Sequence, residues 1–197
     1  MKRFLLVSVL LALSFFLVLT SAAAQETEET YFSRTLKKAE SGDASAQFGL
    51  GTIYDFGNGV ARDPKKAFEW YEKAAKQGHA FAQHSLGKMY EDGEAVEQDY
   101  KKAVEWNEKA AMQDFGPAQS AMGKFHYFGR GCEKSLVRSY AYATIQDSTD
   151  EDSLQSLNSL FSGKLNDAEL LEAKDLAGKF RQEIEKKKQE IENNKKK

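Results

Sequence analysis

Apolar residues in the middle of the chain fall at helical spacing, in paired stripes. Ala46, Leu50, Ile53 and Tyr54 lie at i, i+4, i+7 and i+8 and make one face of a first helix; Ala67, Trp70, Tyr71, Ala74 and Ala75 make the matching face of a second. Gly57 and Gly59 lie between the stripes and release the chain from the first helix. Asp63-Pro64 follows, a capping aspartate with proline at the first helical position. Gly42 and Gly78 stand where helices end on glycine. The pattern predicts helical hairpins.

The hairpin recurs. Ala46-Gln47, Ala82-Gln83 and Ala118-Gln119 are 36 residues apart, as are Gly51, Gly87 and Gly123. Residues 46–81 and 82–117 share 18 of 36 positions, among them Leu50/Leu86, Tyr54/Tyr90, Gly57/Gly93, Val60/Val96, Asp63/Asp99, Ala67/Ala103 and Trp70/Trp106. A period of this length marks a stacked array. The third copy, 118–147, drifts: Cys132 replaces the valine, Ser135 the aspartate and Tyr142 the tryptophan. Terminal repeats drift because one of their faces has no next copy to pack on. A glycine inside a helix costs about 1 kcal/mol against alanine. Gly51, Gly87 and Gly123 are therefore expected to allow close approach of the paired helix.

These residues resemble the Sel-one-like repeat, a relative of the tetratricopeptide repeat. The loose form A-x3-L-G-x2-Y-x2-G-x-G-V-x2-D-x3-A-x2-W-x2-K-A-A is met by Ala46, Leu50, Gly51, Tyr54, Gly57, Gly59, Val60, Asp63, Ala67, Trp70, Lys73, Ala74 and Ala75. Copy two departs at Ala95, where the form has glycine. The resemblance covers about Lys38 to Asp147. It implies an all-α, right-handed superhelical solenoid of about three hairpins with a C-terminal helical cap.

Beyond the array, Leu154, Leu157, Leu160 and Phe161 are spaced for a helix ending near Gly163. Asn166 and Glu169 form a capping box for a last helix carrying Leu170, Ala173, Leu176, Ala177 and Phe180. The expected organisation is a half-repeat at 25–45, repeats at 46–81, 82–117 and 118–147, capping helices at 148–184 and a polar tail at 185–197. A short coiled-coil contact through Phe180, Ile184 and Ile191 is too brief to rely on. At the other end, Lys2 and Arg3 precede an apolar run that closes on Ala22-Ala23-Ala24, the layout of a secretory signal peptide over residues 1–24. Cleavage before Gln25 would remove two cations and move the formal net charge from −2 to −4. A periplasmic or secreted protein with no spanning helix after cleavage is expected.

Candidate chemistry is sparse. The glycines of the Gly57 loop have no strand before them and no Gly-Lys-Ser/Thr after them, so a phosphate loop is excluded. Mild acidity without a basic stripe argues against nucleic acid. His79 and His84 are five apart, off the spacing for a shared metal, and His126 stands at the position of Tyr54 and Tyr90. Cys132 is the only cysteine, so no internal disulfide forms, and it reads as a small apolar residue in a valine position. Lys65-Glu69-Lys73 and Lys101-Glu105-Lys109 read as exposed ion-pair ladders. Asp55, Glu91 and Tyr127 share one repeat position. Helices packed about 8–10 Å apart keep such carboxylates too far apart to share a proton. No catalytic residue, cofactor or metal site is expected.

What remains is a surface. By resemblance to tetratricopeptide arrays, the first helices line a concave groove. Its contacts would be Phe48, Thr52, Asp55 and Phe56 in copy one, Phe81, His84, Lys88, Glu91 and Asp92 in copy two, and Lys124, Tyr127 and Phe128 in copy three. These positions vary while the scaffold positions agree, which suits a groove for a protein or peptide partner. The resemblance implies a non-enzymatic scaffold, adaptor or regulator. The alternatives are a penicillin-binding or hydrolytic cell-wall enzyme, a muropeptide binder, and a secreted factor that engages host proteins. The enzyme alternative finds no Ser-x-x-Lys motif and no cysteine pair.

Overall fold

The computed structural model describes residues 31–145 and 151–195; the expected leader lies outside them. All regular structure among the described residues is helical: α1 (31–40), α2 (Ala44–Phe56), α3 (Pro64–Lys76), α4 (Ala80–Asp92), α5 (Tyr100–Ala111), α6 (Gly116–Phe128), α7 (Leu136–Ala143), α8 (Glu151–Phe161) and α9 (Asp167–Lys195). Helices α2/α3, α4/α5 and α6/α7 are the three hairpins. Helix α3 packs on α4 and α5 on α6, so neighbours in sequence are neighbours in space. The first helices begin at residues 44, 80 and 116, two residues ahead of the repeat starts read from sequence.

The repeat motif encodes ends and contacts. Asp63 caps α3 by accepting from the Lys66 amide, Asp99 caps α5, and Ser135 does the same for α7. Asn166 and Glu169 exchange both bonds of the expected capping box, at 2.8 and 2.9 Å. The recurrent glutamines explain the Ala-Gln pairs. Gln47, Gln83 and Gln119 are buried, and each donates to the carbonyl of an alanine ending the preceding helix, Ala39, Ala75 and Ala111. Gln77 and Gln113 then donate to Gln47 and Gln83 at 2.7 Å. A buried amide without partners costs about 1–3 kcal/mol, so this bonded series fixes the register between hairpins.

Side-chain ladders differ from expectation. Lys73 and Lys109 turn away from the carboxylates and sit over the Trp70 and Trp106 rings, 3.8 and 4.0 Å from the centroids. The indole face offers a cation a site that a fully hydrated carboxylate does not improve on.

The loops after the first helices need left-handed backbone twice each. Gly57, Gly93 and Gly129 take φ of 70–72°, and Gly59 and Gly131 take 75° and 69°. Ala95 occupies the corresponding place in copy two with φ 67°. A Cβ in that region costs about 1–2 kcal/mol, partly offset by the greater freedom glycine loses on folding. Ala95→Gly is therefore expected to stabilise the protein by about 0.5–1 kcal/mol, seen as a rise in melting temperature. An unchanged or lower value would contradict this account of the loop.

Helices α8 and α9 close the end of the array against α7. Tyr140, Phe161 and Ala173 form one buried cluster there, and Met112, Ile145 and Ile184 another. Helix α9 continues through 185–195, the segment expected as a polar tail. Ile184 is buried against the array, where the sequence suggested at most a coiled-coil contact. Phe180 stacks on Tyr142 at 4.8 Å, and Lys188 reaches Asp114 at 2.6 Å.

Candidate functional site

Four positions of each first helix lie at i, i+4, i+7 and i+8 and form one stripe. They are Phe48/His84/Ser120, Thr52/Lys88/Lys124, Asp55/Glu91/Tyr127 and Phe56/Asp92/Phe128. Stacking aligns them into columns.

The innermost column belongs to the scaffold. Phe48 is half-buried, 4.9 Å from the His79 ring and 5.6 Å from Tyr71. His84 Nδ1 lies 2.7 Å from Asn107 Oδ1, and its ring packs against Phe115. The Asp55 column is tied at every level. Asp55 lies 3.7 Å from Arg62 and faces the Tyr71 hydroxyl, Glu91 lies 4.0 Å from Arg130, and Tyr127 accepts from Lys164 at 2.8 Å. The other two columns are open except at Thr52, which is half-buried, donates to the Phe48 carbonyl at 3.0 Å and faces the Tyr71 hydroxyl. Phe56 is 70% exposed and Phe128 59%, and Lys88, Asp92 and Lys124 are exposed with no partner among the described residues. Phe81, 54% exposed, contacts Phe48 and Phe115.

Among the described residues, three hollows lie along this face. One of about 650 Å³ takes in Tyr31, Phe48, Thr52 and the Gly57–Gly59 loop. One of about 320 Å³ brings together Asp55, Phe56, Lys88 and Asp92 with Arg62 and Glu94. The third, about 390 Å³, gathers Lys124, Tyr127 and Phe128 with Leu157, Leu160 and Phe161 of α8. Arg62, Glu94 and the α8 residues were not among the groove positions read from sequence. Arg62 and Glu94 come from the loops of successive repeats and pair across them. Their repeat positions carry no shared residue type to signal it.

Chemistry at the titratable groups is quiet. Burial pushes the Tyr71 phenol up to about 12, and it also raises the Cys132 thiol. Cys132 Sγ lies 3.5 Å from His126 Nδ1. Burial lowers the imidazole, so this pair is neutral near pH 7, not a thiolate beside an imidazolium. Among the described residues no group of three or more His, Cys, Asp or Glu side chains is placed to hold a metal, and no helix is long and apolar enough to cross a membrane.

The Sel1 repeat model matches residues 44–79, 80–115 and 116–144, in step with the three hairpins. The chain belongs to the Sel1 repeat family. Among solved structures it is similar to c5321, a protective antigen present in uropathogenic Escherichia coli strains that displays an SLR fold. The TM-score is 0.70 and the identity 34%, over 80% of this chain and 34% of that one. This Sel1 repeat chain thus spans about a third of that protein's length. It is also similar to a Sel1 repeat protein from Oxalobacter formigenes, with a TM-score of 0.54 and 35% identity over 56% of this chain and 84% of the other. No curated protein matches the sequence. Sel1 repeat proteins are generally protein-interaction scaffolds.

Proposed function

We propose that this Sel1 repeat protein is a non-enzymatic scaffold, adaptor or regulator of the bacterial periplasm or secreted space, holding a protein or peptide partner along its first-helix face. The observation that carries the proposal is the exposure of Phe56, Phe81 and Phe128 on that face beside the unpaired charges of Lys88, Asp92 and Lys124. Aromatic anchors ringed by charge are what concentrate binding energy in protein interfaces. Their positions vary from repeat to repeat, so each repeat offers a partner something different while the scaffold stays constant. The location rests on the leader-like layout of residues 1–24.

The test is affinity capture from an envelope fraction with the wild-type protein and with a Phe56→Ala/Lys88→Glu/Phe128→Ala variant. All three side chains are exposed, so the variant is expected to keep its fold and lose the specific partner. Identical partner lists would sink the assignment of this face.

A further inference from the structure

The three hairpins treat the space above the repeated glycine differently. Over Gly51 lies the ring of Tyr71, and a Cβ built on the glycine would come within 2.5 Å of it. Over Gly87 lies the amide of Asn107. The third occupant of this position is Ala143, where α7 stops, although α3 and α5 run on for several more residues. Above Gly123 the nearest atoms are the Ser139 carbonyl at 3.5 Å and the Tyr142 Cβ at 3.9 Å. The missing side chain leaves the hollow of about 390 Å³, walled by Gly123, Ala143, Leu157, Leu160 and Phe161. Its size falls within the range of ligand sites, about 300–1,000 Å³.

Repeat one shows what this shape accommodates. The Tyr71 ring fills the place over Gly51, and its hydroxyl points between Thr52 Oγ1 at 3.4 Å and Asp55 Oδ2 at 3.2 Å. In repeat three those two positions are Lys124 and Tyr127. Acceptor chemistry has become donor chemistry. Lys124 has no partner among the described residues, and the Tyr127 hydroxyl accepts from Lys164, which leaves its own proton for an incoming acceptor. Arg130, which also faces Glu91 at 4.0 Å, lies 5.2 Å from the Phe128 ring, and no carboxylate lines the hollow among the described residues.

We propose that this pocket takes an aromatic side chain of a protein partner whose adjacent residue carries a carboxylate. The ring would lie over Gly123 as Tyr71 lies over Gly51, and the carboxylate would meet Lys124 and Tyr127. The inference rests on the partner-binding role assigned to the first-helix face, and it adds the chemistry of the partner and the place where it anchors.

Peptides selected from a random 12-residue phage library on the purified protein test it. Enriched sequences are expected to pair Phe, Tyr or Trp with Asp or Glu one or two positions away. Fluorescein-labelled copies should bind at least tenfold more weakly to Ala143→Tyr, which rebuilds the occupant seen in repeat one, and to Lys124→Glu. The second variant changes an exposed side chain, so it keeps the test decisive if Ala143→Tyr melts early. Enriched peptides that bind both variants as well as wild type, but lose affinity for Phe56→Ala/Asp92→Lys, would overturn the pocket and leave the face assignment standing. A selection that enriches nothing would overturn both.

Discussion

Gly87→Ala is expected to destabilise the protein by about 2–4 kcal/mol, and Gly123→Ala to leave it unchanged or raise its stability by up to about 1 kcal/mol. The same substitution at the same repeat position should thus lower the urea midpoint at Gly87 and not at Gly123. At Gly87 a new Cβ would meet Asn107 Cγ at 2.9 Å and the Ala103 carbonyl at 3.1 Å. Asn107 is 1% exposed and fully engaged, donating to Ala103 O at 2.8 Å and meeting His84 at 2.7 Å. Overpacking costs about 1–3 kcal/mol, and a displaced buried amide about 1–3 more. Against this stands the gain of about 1 kcal/mol from replacing a helical glycine. At Gly123 the nearest contact of 3.5 Å is ordinary packing, so only the gain remains. Equal losses at the two sites would show that the glycines answer to something other than the residue above them.

That contrast marks the limit of what the repeat pattern conveys. The hairpins, their caps and their loop glycines were legible because each is a local backbone demand met by a distinctive residue. Asp63 before Pro64 and Gly57 at positive φ are examples. The expectation that all three helical glycines serve close approach holds for Gly51 and Gly87 and not for Gly123. Its reason lies 20 residues away, at Tyr71, Asn107 and Ala143, and no local window contains both. Phe48 and His84 were legible as face positions but not as occupied ones, since the rings and amide that engage them come from the next helices. Phe56, Lys88, Asp92, Lys124 and Phe128 stand open on the face. The drift of the third copy, read as a consequence of its terminal place, also opens the hollow beside Lys124. Under the proposed reading a capping repeat and a binding repeat are the same segment, because the substitution that removes Tyr71's counterpart also leaves the hollow.

Ile184→Asp is expected to undock α9 at a cost of roughly 3–5 kcal/mol. Ile184 is 4% exposed and packs with Met112 and Ile145, just past the ends of α5 and α7. Removing a buried isoleucine costs about 2–5 kcal/mol, and a carboxylate in its place must leave that apolar surface to keep its water. One turn on either side, the Phe180–Tyr142 stack and the Lys188–Asp114 ion pair hold the same seam. Asp114 itself takes φ 62° where earlier copies place Gly42 and Gly78. A glycine would fit that turn with less strain but would give Lys188 and Gln119 no carboxylate to meet. The seam is thus built from side chains of α9 and of the segments that follow α5 and α7, and it meets the amide series that joins α1 to α6 at the Gln119–Asp114 bond. Hydrogen exchange should therefore accelerate by two to three orders of magnitude over residues 176–195 of Ile184→Asp, with α2 to α5 keeping their protection. Loss of protection across the whole array would mean that α9 is part of one cooperative unit with the repeats, and unchanged exchange in α9 would mean that Ile184 does not hold it.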